Sequence, residues 1–308
     1  MRGDDIEWHR GGYSFVAYRE REEKVLKDLL KIQQKYGLDI NWLNQDELLE
    51  VIPDLNQDGL IGGTFSPRDG SASPLKTAHA FFIRAREQGA EFRFRERVTG
   101  IIRRRGKVVG VRTDKGGYAT EVVINAAGPW ARSLAQMAGL DVPVVPDSHE
   151  AGITEPVAPF LGPMVVDIRP AAGSRNYYFY QHRPGPIVFC ITPEPPIVGT
   201  DRRETSEFLP MIGHRMVDLV PKLANIKVRR TWRGLYPMSP DGFPIVGRSE
   251  EVGGYIDAVG MCGQGYMLGP GMGDLLTRLV QDELTRDDEE ILEELSPSRD
   301  FGGEERLK

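Results

Sequence analysis

Six glycines fall within the fourteen residues 260–273, directly after the strand-like run Tyr255-Ile256-Asp257-Ala258-Val259. This stretch limits the fold more than any other. It reads as strand, glycine loop and helix. Glycine lets a backbone come close to a ligand, and a helix start offers free N–H groups and a positive dipole end to negative charge. The glycine order is not GxGxxG, so this is not the ordinary dinucleotide fingerprint. A tight structural turn would use the same residues.

Two further segments stand out. Val122-Val123-Ile124 is apolar on both faces, as a buried parallel strand should be, and runs into Asn125-Ala126-Ala127-Gly128-Pro129-Trp130 and a helix ending at Gly139. A strand ending in Ala-Ala-Gly before a helix suits a crossover lining a cofactor crevice, and equally a turn that packs helix on strand. The third segment, residues 233–247, has Ser239-Pro240-Asp241-Gly242 at its centre, a turn on local chemistry.

Elsewhere the pattern is ordinary. Residues 12–18 alternate as a strand, and Val25, Leu26, Leu29, Leu30 and Ile32 recur at helical spacing before Gly37. A short helix opens at Asn44 and ends near Ile52-Pro53. Ser73-Pro74 is a helix start, with the helix stopping at Gly89. Phe92 and Phe94 predict a strand, 98–103 and 108–113 a hairpin around Gly106, and 118–125 another strand. From 142 to 198 prolines are dense and helical periodicity vanishes, which predicts a second, β-rich region. A helix at 207–223, strands at 227–232 and 254–259, and a helix at 274–284 follow. The acidic tail after Asp287 is expected to be partly disordered.

The 308 residues suggest two domains at roughly 150 residues each. The 39 basic and 45 acidic residues leave a formal net charge of −6, which argues against nucleic acid as the main partner. Arg103-Arg104-Arg105-Gly106-Lys107 reads as a solvated hairpin tip. No apolar run approaches the ~20 residues of a membrane helix, and no signal-peptide pattern opens the chain. Cys190 and Cys262 lie far apart, and the five histidines lack ligand spacing, so neither a disulfide framework nor a metal is expected. GxSxG and GxxxxGK[ST] are absent, which removes the commonest hydrolase and NTPase readings. A reducing, cytoplasmic setting is the expectation.

Taken in order, the segments resemble the FAD-dependent amine oxidoreductases of the D-amino acid oxidase superfamily. They are most similar to the sarcosine oxidase β subunit and to glycine oxidase-like and proline dehydrogenase β-type chains. The likeness rests on Gly11-Gly12-Tyr13, Glu96-Arg97-Val98-Thr99-Gly100-Ile101, 125–131, Ile153-Thr154-Glu155-Pro156, 235–247 and 260–270. It implies an α+β and α/β architecture, with an FAD-binding domain of the glutathione-reductase-like type at 60–139 and 235–284. A substrate domain with a large mixed or antiparallel sheet would take 1–59 and 140–234, and 285–308 would be an acidic tail. Val98 would hold the adenine. Ala126, Ala127, Gly128 and Trp130 would line non-covalent FAD, and Gly260, Gly263, Gln264, Gly265, Tyr266 and Met267 would approach its ring. Chemistry would be hydride transfer from the α-carbon of a small amine or amino acid (sarcosine, glycine or proline-like) to flavin N5.

The departures from the family matter as much. Tyr236 stands where glycine oxidase-like members place a carboxylate-binding arginine, Met267 where sarcosine oxidases often have lysine, and Gln264 where most have histidine. Gly234 and Pro74 stand where some members tether flavin. Arg233, Tyr236, Tyr178, Tyr180 and Gln264 are the candidate substrate and catalytic residues, with His182 read as a surface histidine. Residues 177–180 alternate along a strand, so half of them can face a ligand. The family's opening strand–GxGxxG–helix unit, with its acidic residue beyond, is not in this sequence. A hetero-oligomer is therefore expected, in which a partner subunit or a missing N-terminal segment supplies that unit. The alternative is a non-catalytic truncated paralogue or an assembly subunit.

Overall fold

The computed structural model describes residues 5–302. β1 (Tyr13–Ala17) leads into α1 (Glu20–Lys35), whose inner side buries Leu26 and Leu30. β2 (Asn41–Asn44) ends in a capping residue. Asn44 Oδ1 accepts the Glu47 N–H at 3.1 Å, and Glu47 Oε2 accepts the Asn44 N–H at 2.8 Å, which starts α2 (Gln45–Val51). After β3 (Gly62–Ser66), Ser73 caps α3 (Pro74–Glu87), and Pro74 occupies its first turn. β4 (Val98–Arg104) and β5 (Lys107–Thr113) form a hairpin through Arg105 and Gly106, both at positive φ, and β6 (Gly117–Ala119) adds a third strand.

β7 (Val123–Asn125) passes through a single 3-10 turn at Gly128–Trp130 into α4 (Ala131–Met137). The β-rich region supplies β8 (Val145–Thr154), β9 (Met164–Asp167), β10 (Ser174–Gln181) and β11 (Ile187–Pro193). α5 (Phe208–Leu219) and β12 (Val228–Met238) follow. The chain closes with β13 (Ile245–Arg248), β14 (Tyr255–Val259), α6 (Gly265–Gln281) and α7 (Arg286–Glu294).

Eight strands form one mixed sheet in the order β12-β8-β11-β10-β9-β1-β3-β2. Only the β1–β9 pair in it is parallel. Registered partners share a face. One face therefore carries Val16, Val165, Tyr177, Phe179, Phe189 and Gly152. It is closed by Leu48, Phe208, Ile212, Met216 and Leu219 of α2 and α5. Gly152 is obligatory there, because a Cβ would fall 2.4 Å from the Phe189 ring. Each fully buried side chain of this size stabilises the fold by roughly 1.5–3 kcal/mol. The opposite face carries Tyr13, Tyr178, Tyr180, Cys190, His149, Trp232 and Tyr236.

A smaller sheet, β13-β14-β7, packs on α4 through Ala131, Ala135, Val144, Ile245, Tyr255 and Val259. β14 and β7 run parallel, so their carboxyl ends lie side by side.

Several expectations are corrected. Phe92 lies in coil and Phe94 in a turn, where both meet Phe82 edge-on instead of pairing as a strand. The 118–125 strand is two short strands in different sheets. Among the described residues β7 is an edge strand bonded only to β14, and Ile124 is exposed, not buried on both faces. α6 begins at Gly265, nine residues before the expected start. β12 stays in the large sheet to Met238, so the boundary expected at Leu235 falls inside a strand. β2, β3 and β13 were not anticipated. The tail forms α7, capped by Thr285 and tied to α6 by Arg278–Asp288 pairs at 2.6 and 2.7 Å. The end of the expected tail, 303–308, lies outside the described residues.

Candidate active site

The site forms where three segments converge: the end of β7 with its 3-10 turn, the end of β14 with the glycine loop, and the last residues of β12. Asn125 organises the first. Its Nδ2 donates to Ala131 O and Asp257 Oδ1, both at 3.0 Å, and its Oδ1 accepts the Ala127 N–H at 3.2 Å. The strand end is thereby bent into the turn, which packs against β12. Gly128 has φ +53° and faces open space, so its missing side chain leaves room above the turn. Asp257 is buried, and that burial pushes its carboxyl up to about 6, with the Asn125 amide pulling the other way.

The glycine loop follows β14. Gly260 turns with φ +65°, and Cys262 also adopts the left-handed region at φ +50°. Gln264 precedes α6, which has no acidic residue in its first turn. Its opening N–H groups and positive dipole end are thus free of a competing carboxylate. Tyr266, Met267 and Leu268 of that first turn are exposed, as is Trp130 opposite. Tyr266 is fixed by a 2.8 Å bond between its hydroxyl and Thr77 Oγ1 on α3.

The third wall is the tyrosine face of the large sheet. The Tyr236 and Tyr178 hydroxyls are 2.9 Å apart. Burial pushes the Tyr236 phenol up to about 12 and the Tyr178 phenol well above its ordinary value, so both are neutral donors. Tyr180 is raised by burial and then by Tyr266, which places it beside α6. A Cβ on Gly263 would lie 3.0 Å from Tyr236 Cε2, so this glycine lets the aromatic ring rest against the loop.

The structure sets Tyr236 against Tyr178 and Gly263, and Tyr180 beside Tyr266; Gly260, Gln264, Gly265 and Met267 belong to the same loop and helix start, and Ala126, Ala127, Gly128 and Trp130 to the turn that packs on β12. Val98 begins β4 and packs on the core of the small sheet. Arg233 is the exception. Its register with Glu150 turns it to the helix-covered face, where it meets Glu150 Oε2 at 3.3 Å and is 5% exposed. A strand alternates, so Arg233 and Tyr236, three apart, take opposite faces. Arg233 is not a substrate anchor in this arrangement. His182 is partly exposed, 3.9 Å from Glu7.

The sequence reading missed His149 and Asp147. His149 Nε2 lies 3.0 Å from Asp147 Oδ2, and the ring stacks on Tyr236 at 3.9 Å. Its Nδ1 is buried with no hydrogen-bond partner. The parity of Asp147, His149 and Ala151 against Ser148, Glu150 and Gly152 was the available signal, hidden by the flanking prolines. Among the described residues no group of acids, histidines or cysteines could hold a metal ion.

Residues 1–279 match the family described as FAD dependent oxidoreductase. The chain belongs to that family. It is 30% identical over 283 residues to the hydrogen cyanide synthase subunit HcnC of Pseudomonas aeruginosa, covering 91% of this chain and 66% of that protein. Among solved structures, the L-proline dehydrogenase from P. horikoshii superposes with TM-score 0.89 at 30% identity, covering 97% of this chain and 79% of that one. The glycine oxidase from Geobacillus kaustophilus gives TM-score 0.86 at 27% identity, covering 98% and 78%. The chain spans about two thirds of the length of the curated HcnC relatives. FAD is the cofactor of the family, and the residues here fit it. The crevice offers an open space over Gly128, exposed aromatic and apolar surface at Trp130, Tyr266 and Met267, and a helix start clear of acids.

Proposed function

We propose that this chain supplies the ring-binding and substrate-binding parts of an oxidoreductase that acts on a small amino acid or secondary amine. The observation that carries the reading is the contact between Gly263 and Tyr236, which sets the tyrosine face directly against the glycine loop. In this reading Ala126, Ala127, Gly128, Trp130, Gly260, Gly263, Gln264, Gly265, Tyr266 and Met267 hold FAD, and Val98 lies toward its adenine end. FAD, when bound, takes up the hydride from the carbon that bears the amine.

The chain's own residues bind and orient the substrate. The Tyr178 and Tyr236 hydroxyls bond to each other, Tyr178 also borders the Cys190 thiol, and the Tyr236 hydroxyl is the one proposed to meet a ligand oxygen. Neutral phenols suit a small carboxylate or carbonyl oxygen held by directed hydrogen bonds. Burial of both rings excludes water, so such bonds act at low dielectric.

The finer reading concerns assembly. HcnC is named as a subunit, which supports a larger complex as the working form. The free edge of β7, with Ile124 and Trp130 exposed beside it, supports the addition of a further strand from a glycine-rich unit carried by a partner or by an N-terminal segment. A non-catalytic assembly chain would share that edge. It would not need the Tyr178–Tyr236 pair against Gly263.

The test is anaerobic mixing of the protein, with excess FAD, against sarcosine, glycine and proline in turn. Bleaching of the flavin spectrum by one of them is expected. A spectrum unchanged by all three, with FAD demonstrably bound, would contradict the reading.

A further inference from the structure

The family match ends at residue 279, yet the chain beyond it is folded back onto the site. After α7, Leu295 O accepts the Val246 N–H at 2.8 Å, which lays the segment along β13. Arg299 then turns inward and is 10% exposed. Its Nε donates to Asp241 Oδ2 at 2.9 Å. Nη2 donates to Asp241 Oδ1 at 3.0 Å and Phe243 O at 3.1 Å. Nη1 donates to Leu295 O at 3.0 Å and Ser296 O at 3.2 Å. A guanidinium has five N–H donors, and all five are used. The ring of Phe301 lies 4.5 Å from its Cζ.

The contacts continue toward the glycine loop. Ser239 Oγ lies 2.7 Å from Phe243 O and 3.2 Å from Asp241 Oδ1, its one proton serving either. The same oxygen is 3.6 Å from Cys262 Sγ, and a Cβ on Gly260 would lie 3.3 Å from Ser239 Cβ. Cys262 is the one non-glycine residue of the loop in left-handed backbone, a conformation that persists only where surroundings impose it. Its N–H donates to Pro237 O at 3.2 Å, at the end of β12 just before that turn.

We propose that Arg299 is a positioning residue for the glycine loop. It clamps the 239–243 turn through Asp241 and Phe243, and the turn holds Cys262 and Gly260 in the conformation that starts α6. The consequence for cofactor binding rests on the reading of this loop given above. The device uses a segment that follows the family match.

The two cysteines provide the test. Cys262 reports on the loop, and Cys190, buried on β11, reports on general loosening. Per-residue alkylation rates of the native chain are read by mass spectrometry. Arg299→Ala is expected to speed Cys262 labelling by about tenfold while Cys190 stays at the parent rate. Arg299→Lys, which keeps the charge but not the fork, should fall between. Equal acceleration of both cysteines, or of neither, would overturn the proposal. Should Arg299→Ala fail to fold, Ser239→Ala cuts the same path nearer the loop. It must also release Cys262 selectively, and an unchanged rate overturns the proposal. An FAD titration of the same variants separates the two readings. Faster Cys262 labelling with unchanged FAD affinity would leave the clamp standing and overturn the flavin assignment of the loop.

Discussion

The two faces of the large sheet differ from the small sheet in one respect: the large sheet is finished. Its inner face is sealed by α2 and α5, and its outer face ends in two phenols bonded to each other. The β7–β14 region is not finished in the same way. It has a strand bonded on one side only, exposed Ile124 and Trp130, and a helix whose first turn shows Tyr266, Met267 and Leu268 outward. Apolar surface gathered at a strand edge and a helix start is a binding surface more often than a solvated one. The comparison teaches that the tyrosine face is paired within this chain, while the edge of β7 and the start of α6 leave apolar surface open.

The largest break in that comparison is expected from Gly265→Val. A Cβ at Gly265 points at Met261 Cβ, 3.1 Å away, and not into the crevice. The variant must therefore displace the loop itself, and FAD affinity should fall by about two orders of magnitude or more. Parent-like affinity in a fluorescence titration would remove the loop from the cofactor site. Ile212→Ala attacks the finished region instead. It should cost about 2–5 kcal/mol in denaturant unfolding, with FAD affinity of the folded fraction unchanged.

Asp257→Asn sharpens the contrast through pH. The folded carboxyl titrates near 6, above its ordinary 3.8, because burial disfavours the charge. The native state therefore binds this proton more tightly than the unfolded chain. That contribution is fully present below about pH 4 and is lost as pH rises through 6. The asparagine variant should be more stable than the parent by on the order of 1–3 kcal/mol at pH 7.5, and no more stable at pH 4. A gain that does not depend on pH would contradict the assignment. Tyr236→Phe should weaken binding of a small carboxylate inhibitor by about tenfold and leave FAD affinity alone, since it removes one hydroxyl of a buried pair. Equal loss of both ligands would place Tyr236 in the cofactor wall. Arg286→Ala, which removes a solvent-exposed pair with Glu290, should leave the melting temperature where it was.

Much of the fold could be read from residues because local chemistry agreed with tertiary demand. Asn44 and Ser73 are capping residues and do cap, and the alternation at 177–180 sends Tyr177 and Phe179 inward and Tyr178 and Tyr180 outward, as a strand must. Phe92 and Phe94 misled because alternation specifies a strand only where a neighbour offers its edge, and none does here. The early start of α6 was hidden by glycines and Pro270, which oppose a helix locally but are held in one by the burial of Met272, Leu275 and Leu279 further on. Arg233 was misassigned from its place in a motif. Counting parity from Tyr236 would have turned it away from the site. His149 escaped because a lone histidine in a proline-rich stretch carries no periodic signal. Only the β8–β12 register sets it against Tyr236.

The central claim is that the end of β7 and the loop before α6 together form the flavin crevice. Backbone hydrogen exchange of the chain with and without excess FAD tests it most directly. The account predicts protection concentrated in residues 125–130 and 260–268, with the core of the large sheet unchanged. Protection that appears elsewhere, or none in those two segments at saturating FAD, would contradict it.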